Sequence, residues 1–191
     1  MQKYNIGFAL CGSFCTFSQA IEELKKLRSA GHNIYPIMSY NAYSTDTRFG
    51  NAQDFCDEIE QICGHHIISS IAQAEPIGPK KLLDILIIEP CTGNTLAKLS
   101  SSIADTPVTL AAKSHLRNGR PILIAVSTND ALAGAAKNIG TLLNYKNIYF
   151  IPYKQDDPVN KPTSIVADFT KTQEAMEEAL KGKQLQPIII Q

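Results

Sequence analysis

Apolar residues along this chain follow two periods. Short unbroken runs alternate with stripes that repeat every three or four residues, and each change falls at a glycine, a proline or a polar cluster. Residues 5–10 read as a first strand. The spacing Thr16-x-x-Gln19 matches a capping box opening a helix whose Ile21, Leu24 and Leu27 share a face, and Gly31 stops it. Residues 34–38 form a second strand, followed by a polar stretch over 39–51 that reads as a loop long enough to carry function. Phe55, Ile59 and Ile62 have helical spacing up to Gly64, and Ile67-Ile68 reads as a short third strand. Residues 72–80, with Pro76, Gly78 and Pro79, fit neither period and read as a second rim loop.

The most informative stretch follows. Ile85 to Ile88 is a continuous apolar run, as in a parallel strand covered on both faces, and it leads through Pro90-Cys-Thr-Gly-Asn-Thr95 into a stripe of Leu96, Leu99 and Ile103. Thr106-Pro107 begins a further helix, which Asn118-Gly119 closes before a strand over 122–126. A polar strand end at Ser127-Thr128-Asn129-Asp130, a helix over 131–143, a strand over 148–151 and a late helix with Ala175, Met176, Ala179 and Leu180 complete the alternation. Residues 152–163, rich in Asp, Pro and Lys, read as a solvated loop or a contact between protomers. Strands and helices in this order predict an α/β fold, a three-layer doubly wound parallel sheet with right-handed crossovers.

Composition narrows the setting. With 191 residues, 44% of them hydrophobic, the chain can bury one substantial core, which predicts a single domain over 1–191. Eighteen basic and eighteen acidic side chains balance, so no global field draws the chain to nucleic acid or to an anionic membrane. No signal-peptide pattern or membrane span is visible. Five cysteines, at 11, 15, 56, 63 and 91, lack zinc-site spacing and predict a reduced, cytoplasmic protein in which Cys11, Cys15 and Cys91 serve as small buried hydrophobes.

In a sheet of this kind ligands bind at the carboxyl edge, where Cys11-Gly12-Ser13-Phe14, Ser39-Tyr40-Asn41, Pro90 to Thr95 and Ser127 to Asp130 should converge. They offer hydroxyls, amides and backbone N–H groups with few charges, a set suited to phosphate and a neutral ring rather than to a metal. Gly12 lets backbone approach a phosphate, and Ser13 adds a hydroxyl. Each residue also has a plain structural reading: Gly12-Ser13 as a tight turn, Thr92 or Asn94 as a helix cap, Lys98 as a solvent-facing lysine. The full G-x-G-x-x-G fingerprint is lacking. His65-His66 and His115 read as surface residues and His32 as a loop residue. No triad or paired-carboxylate signature stands out.

Pro90-Cys-Thr-Gly-Asn-Thr95 resembles the P-A-S-A-N-T signature of the homo-oligomeric flavin-containing cysteine decarboxylases, and Ser127-Thr128-Asn129 falls where that family's P-x-M-N-x-x-M-W motif lies. The resemblance implies a Rossmann/flavodoxin-like flavoprotein fold of about six strands, a homo-oligomer, and FMN held between protomers. It places Gly12, Ser13, Phe14 and Ser39 at the phosphate, Thr92, Gly93, Asn94 and Thr95 at the ring and ribityl chain with Ser127 and Thr128 close by, and Asn129 at a substrate carboxylate. Departures are visible. The family's catalytic histidine stands about eight residues before the aspartate that opens the strand, a position suited to a general base. Counting back from Asp84 puts Pro76 there, beside Glu75, and Val126 and Leu132 replace the second motif's proline and second methionine.

Longer blocks are similar to the B-subunit family of the dipicolinate synthases: residues 75–84, Pro90 to Lys98, 105–113, 115–118, 137–143 and 155–158. That likeness implies a sporulation protein in the mother cell. It would act with a separate nicotinamide-binding A subunit, which carries NAD(P), to oxidise a dihydro- or hydroxytetrahydro-dipicolinate to pyridine-2,6-dicarboxylate. Asn94, Asn129 and Lys98 are then the candidates for contact with the small dicarboxylate substrate. Two rivals stand beside it: a non-catalytic flavin- or anion-binding scaffold, and a stand-alone FMN-dependent decarboxylase.

Overall fold

The computed structural model describes residues 2–191. Strands β1 (Asn5–Leu10), β2 (Asn33–Met38), β3 (Ile85–Cys91), β4 (Ile122–Thr128) and β5 (Ile148–Phe150) run parallel, because helical crossovers join each of them to the next and return the chain to the same sheet edge. Helices α1 (Phe17–Ser29), α3 (Ala52–Cys63) and α8 (Thr172–Leu180) cover one face, and α5 (Gly93–Ser100), α6 (Pro107–Arg117) and α7 (Ala136–Leu143) cover the other. All seven residues of β3 are buried, which is why its apolar run is unbroken.

The sheet is mixed, not wholly parallel. Residues read from the sequence as a solvated excursion form the hairpin β6 (Tyr153–Asp157) and β7 (Lys161–Ala167), turned at Asp157, whose carboxylate accepts the N–H groups of Val159 and Asn160. Strand β7 pairs antiparallel with the end of β4, Ser127 opposite Val166 and Thr128 opposite Ile165. The outer edge of β4 is thus shared, with β5 on its first half and β7 on its last residues, and the seven-stranded order is β2-β1-β3-β4-β7-β6 with β5 beside β4.

Several local expectations change for physical reasons. Thr16 does not form its capping box: a 3₁₀ turn (Phe14–Thr16) precedes α1, and the Thr16 hydroxyl donates to the Ser13 carbonyl at 2.8 Å. The 39–51 loop contains a short helix, α2 (Tyr40–Ser44), capped by the Ser39 hydroxyl. Ile67-Ile68 makes only one bridge, Ile68 with Ile37. Residues 72–80 form no rim loop; α4 (Ile71–Ala74) and a 3₁₀ turn (Glu75–Ile77) pack along α6, where the Gly78 carbonyl accepts from Asn118 at 2.9 Å. Helix α5 ends before Ile103, which is exposed. His115 is buried, not a surface residue, and its Nε2 lies 3.0 Å from the Pro121 carbonyl, while His32 lies in the loop before β2 as read but is also buried.

Candidate functional site

The first four strands of the sheet end side by side. The Cys11 N–H donates to the Pro90 carbonyl at 3.1 Å and the Ser39 N–H to the Leu10 carbonyl at 3.0 Å, so the ends of β1, β2 and β3 are tied together. The hydroxyls of Ser13 and Ser127 lie 2.8 Å apart and bring in the end of β4. Ser127 is buried there because its backbone belongs to the pairing with β7.

The turn after β1 has the form of an anion cradle. The N–H groups of Gly12 and Phe14 find no acceptor among the described residues, whereas the Ser13 N–H donates to the Cys11 carbonyl at 2.9 Å. A Cβ added at Gly12 would meet only the Phe14 ring, at 3.7 Å, so the glycine leaves one side of the turn open. Free donors ahead of a helix suit a phosphate. They border a cavity of about 1000 Å³ whose opposite wall is the β6–β7 hairpin.

Of the residues the sequence singled out, Gly12, Ser13, Phe14, Thr92, Ser127, Thr128 and Asn129 line this cavity. Asn129 is held by the hairpin: its carbonyl accepts from the Thr163 hydroxyl at 2.6 Å, and its Oδ1 accepts from Ser164 at 3.3 Å. With Oδ1 engaged, its amide nitrogen is left as a donor.

Ser39, Gly93, Asn94, Thr95 and Lys98 are not among the lining residues. Ser39 caps α2. The Thr95 hydroxyl donates to Cys11 Sγ at 3.2 Å beneath the first turn of α5. Asn94 is exposed and its side chain makes no capping bond, and neither does that of Thr92. Lys98 is paired with Asp105 at 2.7 Å. Gly93 has a packing role, since a Cβ there would stand 2.6 Å from Asp130 Oδ1 and 3.0 Å from Thr128 Oγ1, two atoms that are themselves hydrogen-bonded at 2.6 Å.

Sequence reasoning missed the second wall, formed by Lys154, Asp156, Lys161 and Ser164 of the hairpin with Arg48 and Phe49 from the segment after α2. The signal was present in Asp157-Pro158-Val159-Asn160, a turn sequence between two stretches able to pair. Cys15, expected to be buried, is exposed on the cavity. Burial pushes the Cys11 thiol up to about 11 and raises that of Cys91 well above its ordinary range, so neither carries a thiolate near neutrality. No histidine lines the cavity, and Pro76 lies in the segment that packs along α6.

A doubly wound sheet with a hydroxyl-lined cavity at its carboxyl edge defines an α/β protein of the flavodoxin-like type. The chain belongs to the flavoprotein family, whose profile matches residues 1–180. It is 43% identical over 186 residues to the dipicolinate synthase B subunit of Bacillus subtilis (strain 168), an alignment covering 97% of this chain and 93% of that protein. The crystal structure of the dipicolinate synthase B subunit from Bacillus halodurans C superposes with a TM-score of 0.90 at 41% identity, covering 98% of this chain and 96% of that one. The FMN-dependent cysteine decarboxylase SpaF shares the fold, with a TM-score of 0.66 at 24% identity over 93% of this chain and 95% of that one.

Proposed function

We propose that this chain is the B-type component of a dipicolinate-forming oxidoreductase, that it binds FMN at its carboxyl edge, and that it works with a separate nicotinamide-binding A subunit. A single domain over 1–191 and a cytoplasmic setting in a sporulating cell belong to the same proposal. The observation that carries the binding part is the Gly12-Ser13-Phe14 turn, with its free N–H donors and its 2.8 Å hydroxyl contact to Ser127 at the edge of a cavity of about 1000 Å³. The likeness to the dipicolinate synthase B subunit carries the choice of reaction.

On this reading the Gly12 and Phe14 N–H groups and the Ser13 hydroxyl hold the phosphate, and Asn129 directs its amide nitrogen at a carboxylate of the ring being oxidised. Bound flavin supplies a two-electron acceptor. The hairpin forms the cavity wall opposite the phosphate turn, and as the ring becomes aromatic it would give up a hydride to the two-electron acceptor and a proton to water in the cavity.

The test compares FMN with riboflavin. Ser13→Ala is expected to weaken FMN roughly tenfold, the value of one hydrogen bond to a charged group, and to leave riboflavin nearly unchanged. Equal loss of both would place the phosphate elsewhere. Reconstitution with the A subunit, followed by the ultraviolet absorbance of pyridine-2,6-dicarboxylate, checks the reaction itself; no product with both proteins and flavin present rejects it.

The proposal includes a homo-oligomer. Tyr40, Tyr43 and Phe49 remain 44%, 42% and 46% exposed around α2, and large aromatics of this kind anchor interfaces. Light scattering should give a multiple of the 20.9 kDa chain, and a monomer at micromolar concentration rejects it.

A further inference from the structure

The chain carries no net charge, yet its charges are sorted onto opposite faces. The basic face lies where the 78–81 turn meets the end of α6. A Cβ on Gly78 would stand 2.8 Å from Ser114 Cβ and 3.1 Å from Arg117 Nη2, so a glycine is what lets the turn close on the helix. The Asn118 amide donates to the Gly78 carbonyl, and Arg120 donates to the carbonyls of Lys81 and Leu83. The turn that carries Lys80 and Lys81 is thus fixed against Arg117, with Lys113 one turn earlier on the same helix face. Lys81 holds a φ of 48°, a left-handed conformation that glycine or asparagine takes more easily, so a lysine stands here against backbone preference. Arg120 is 3.7 Å from Asp84, and Glu75 lies on the preceding 3₁₀ turn, so five cations face two acids. Among the described residues, Lys80, Lys81, Lys113 and Arg117 form no ion pair.

The acidic face is on the other side of the sheet, where α3 packs on α1. Asp54 and Asp57 are exposed one turn apart and accept from the neutral side-chain amides of Asn51 at 3.3 Å and Gln53 at 2.7 Å, which leave their negative charge uncancelled. Glu58 and Glu22 share a single lysine, Lys25, at 3.0 and 2.8 Å. Asp46 accepts the Ala52 N–H at 2.8 Å at the start of α3, and Arg48 is the other cation of that segment, so five acids face two cations. Glu60 is engaged by His66 and the Ile67 N–H. Apolar groups accompany each face. The exposed Tyr40, Tyr43 and Phe49 stand on the acidic side, where α2 packs on α3, and Ile71, 42% exposed, stands on the basic side, where α4 packs along α6. Aromatic faces attract cations in their own right. Residues 56–144 contain no Phe, Tyr or Trp, so the basic face offers no ring on which a nucleic-acid base could stack.

We infer that the acidic α3 face of one copy of this chain docks on the basic α6 face of a second copy; the inference rests on the homo-oligomer proposed above and names both of its surfaces. The two faces lie on opposite sides of the sheet and share no ion pair within one chain, so each finds its complement only on another copy. Either face set against itself would bring like charges together, which disfavours a two-fold contact through it. The contact is therefore head-to-tail, and it closes into a ring where the rotation between copies permits.

Sedimentation velocity on the full-length chain tests it with two charge reversals, Lys113→Glu with Arg117→Glu and Asp54→Lys with Asp57→Lys. All four side chains are exposed, and thermal midpoints check that the variants fold. The wild-type oligomer should weaken as ionic strength rises from about 0.05 to 0.5 M. Each reversal alone should weaken assembly roughly tenfold or more. An equimolar mixture of the two should assemble again, because each altered face then meets the sign it lacks, a rescue that a merely damaged fold would not show. If a reversal lowers the midpoint, the neutral pairs Lys113→Gln with Arg117→Gln and Asp54→Asn with Asp57→Asn carry the test, and both should lose most of the salt dependence. Assembly indifferent to the altered charges, assembly sensitive to one face alone, or a reversed mixture that stays apart would overturn the inference and leave the homo-oligomer to other contacts. A wild type that is monomeric at every concentration overturns both.

Discussion

Glu89 and His115 are both buried ionisable side chains, and each stays neutral for the same reason: removal from water penalises the charged form. One Glu89 oxygen accepts from the Thr172 hydroxyl at 2.8 Å and the other has no partner, so burial holds this carboxyl well above the usual range. Between the ordinary value of 4.5 and that raised value the unfolded chain has lost its proton while the folded chain keeps it, so the contribution of Glu89 to stability falls as pH rises. Glu89→Gln should therefore gain stability over the wild type at pH above neutrality and little near the ordinary carboxyl value. His115 has the opposite sign. Burial lowers it from 6.5 to about 4, so its contribution is complete above 6.5 and is lost as pH falls toward 4, where only the unfolded chain takes up the proton. Denaturant midpoints measured across pH for the wild type, Glu89→Gln and His115→Gln read both effects. A Glu89→Gln gain that does not grow with pH, or a loss of stability between pH 6.5 and 4 as steep in His115→Gln as in the wild type, contradicts the assignments. Neither residue was legible in the sequence: His115 sits among polar neighbours on its helix, and only the fold shows that its ring turns under the start of β4.

Strand β1 illustrates how closely the elements are fitted. A Cβ on Gly7 would stand 2.5 Å from Leu83 Cδ1 and 2.9 Å from Leu86 Cδ1, and both leucines are fully buried, so neither has free space to turn into. Gly7→Ala should cost about 1–3 kcal/mol, the usual range for overpacking, and Leu83→Ala in the same chain should recover part of the loss caused by the added methyl. A thermal midpoint unchanged in Gly7→Ala would show slack in this layer that the structure does not have. The elements themselves were legible where one period dominated. Strand β1 falls on residues 5–10 as read, Thr106-Pro107 opens α6 with a reciprocal Thr106–Thr109 cap, and Gly64 and Gly119 end helices at φ of 69° and 70°. They were not legible where pairing is tertiary. Lys154, Gln155 and Asp156 are exposed and polar, so β6 has no apolar alternation to announce it and exists because β7 lies beside it. The same blindness split the candidate site: polar residues at strand ends were visible, yet which of them face one cavity depends on the hairpin and on how α5 enters.

At the scale of the molecule, the hairpin and the phosphate turn meet in a single residue. Ser127 gives its backbone to the pairing with Val166 and its hydroxyl to Ser13, and only one further residue pair, Thr128 with Ile165, joins β7 to β4. Beyond those pairs the hairpin is held by the Leu132 N–H on the Thr163 carbonyl and by Thr163 and Ser164 on Asn129, all next to the end of β4, so as the edge of the sheet it is able to open ahead of the parallel core. Opening would take Ser127 with it, so an anion that binds the closed turn must, by reciprocity, hold the hairpin shut. Amide hydrogen exchange gives this a measurable form: the amides of β6 and β7 should exchange together, ahead of those in β1 and β3, and should slow when FMN is added, whereas rates indifferent to FMN would sever the link. One serine would then act as a latch through which occupancy at the strand ends is reported some distance away, at a hairpin tip where Val159 stands 86% exposed and within reach of any partner surface.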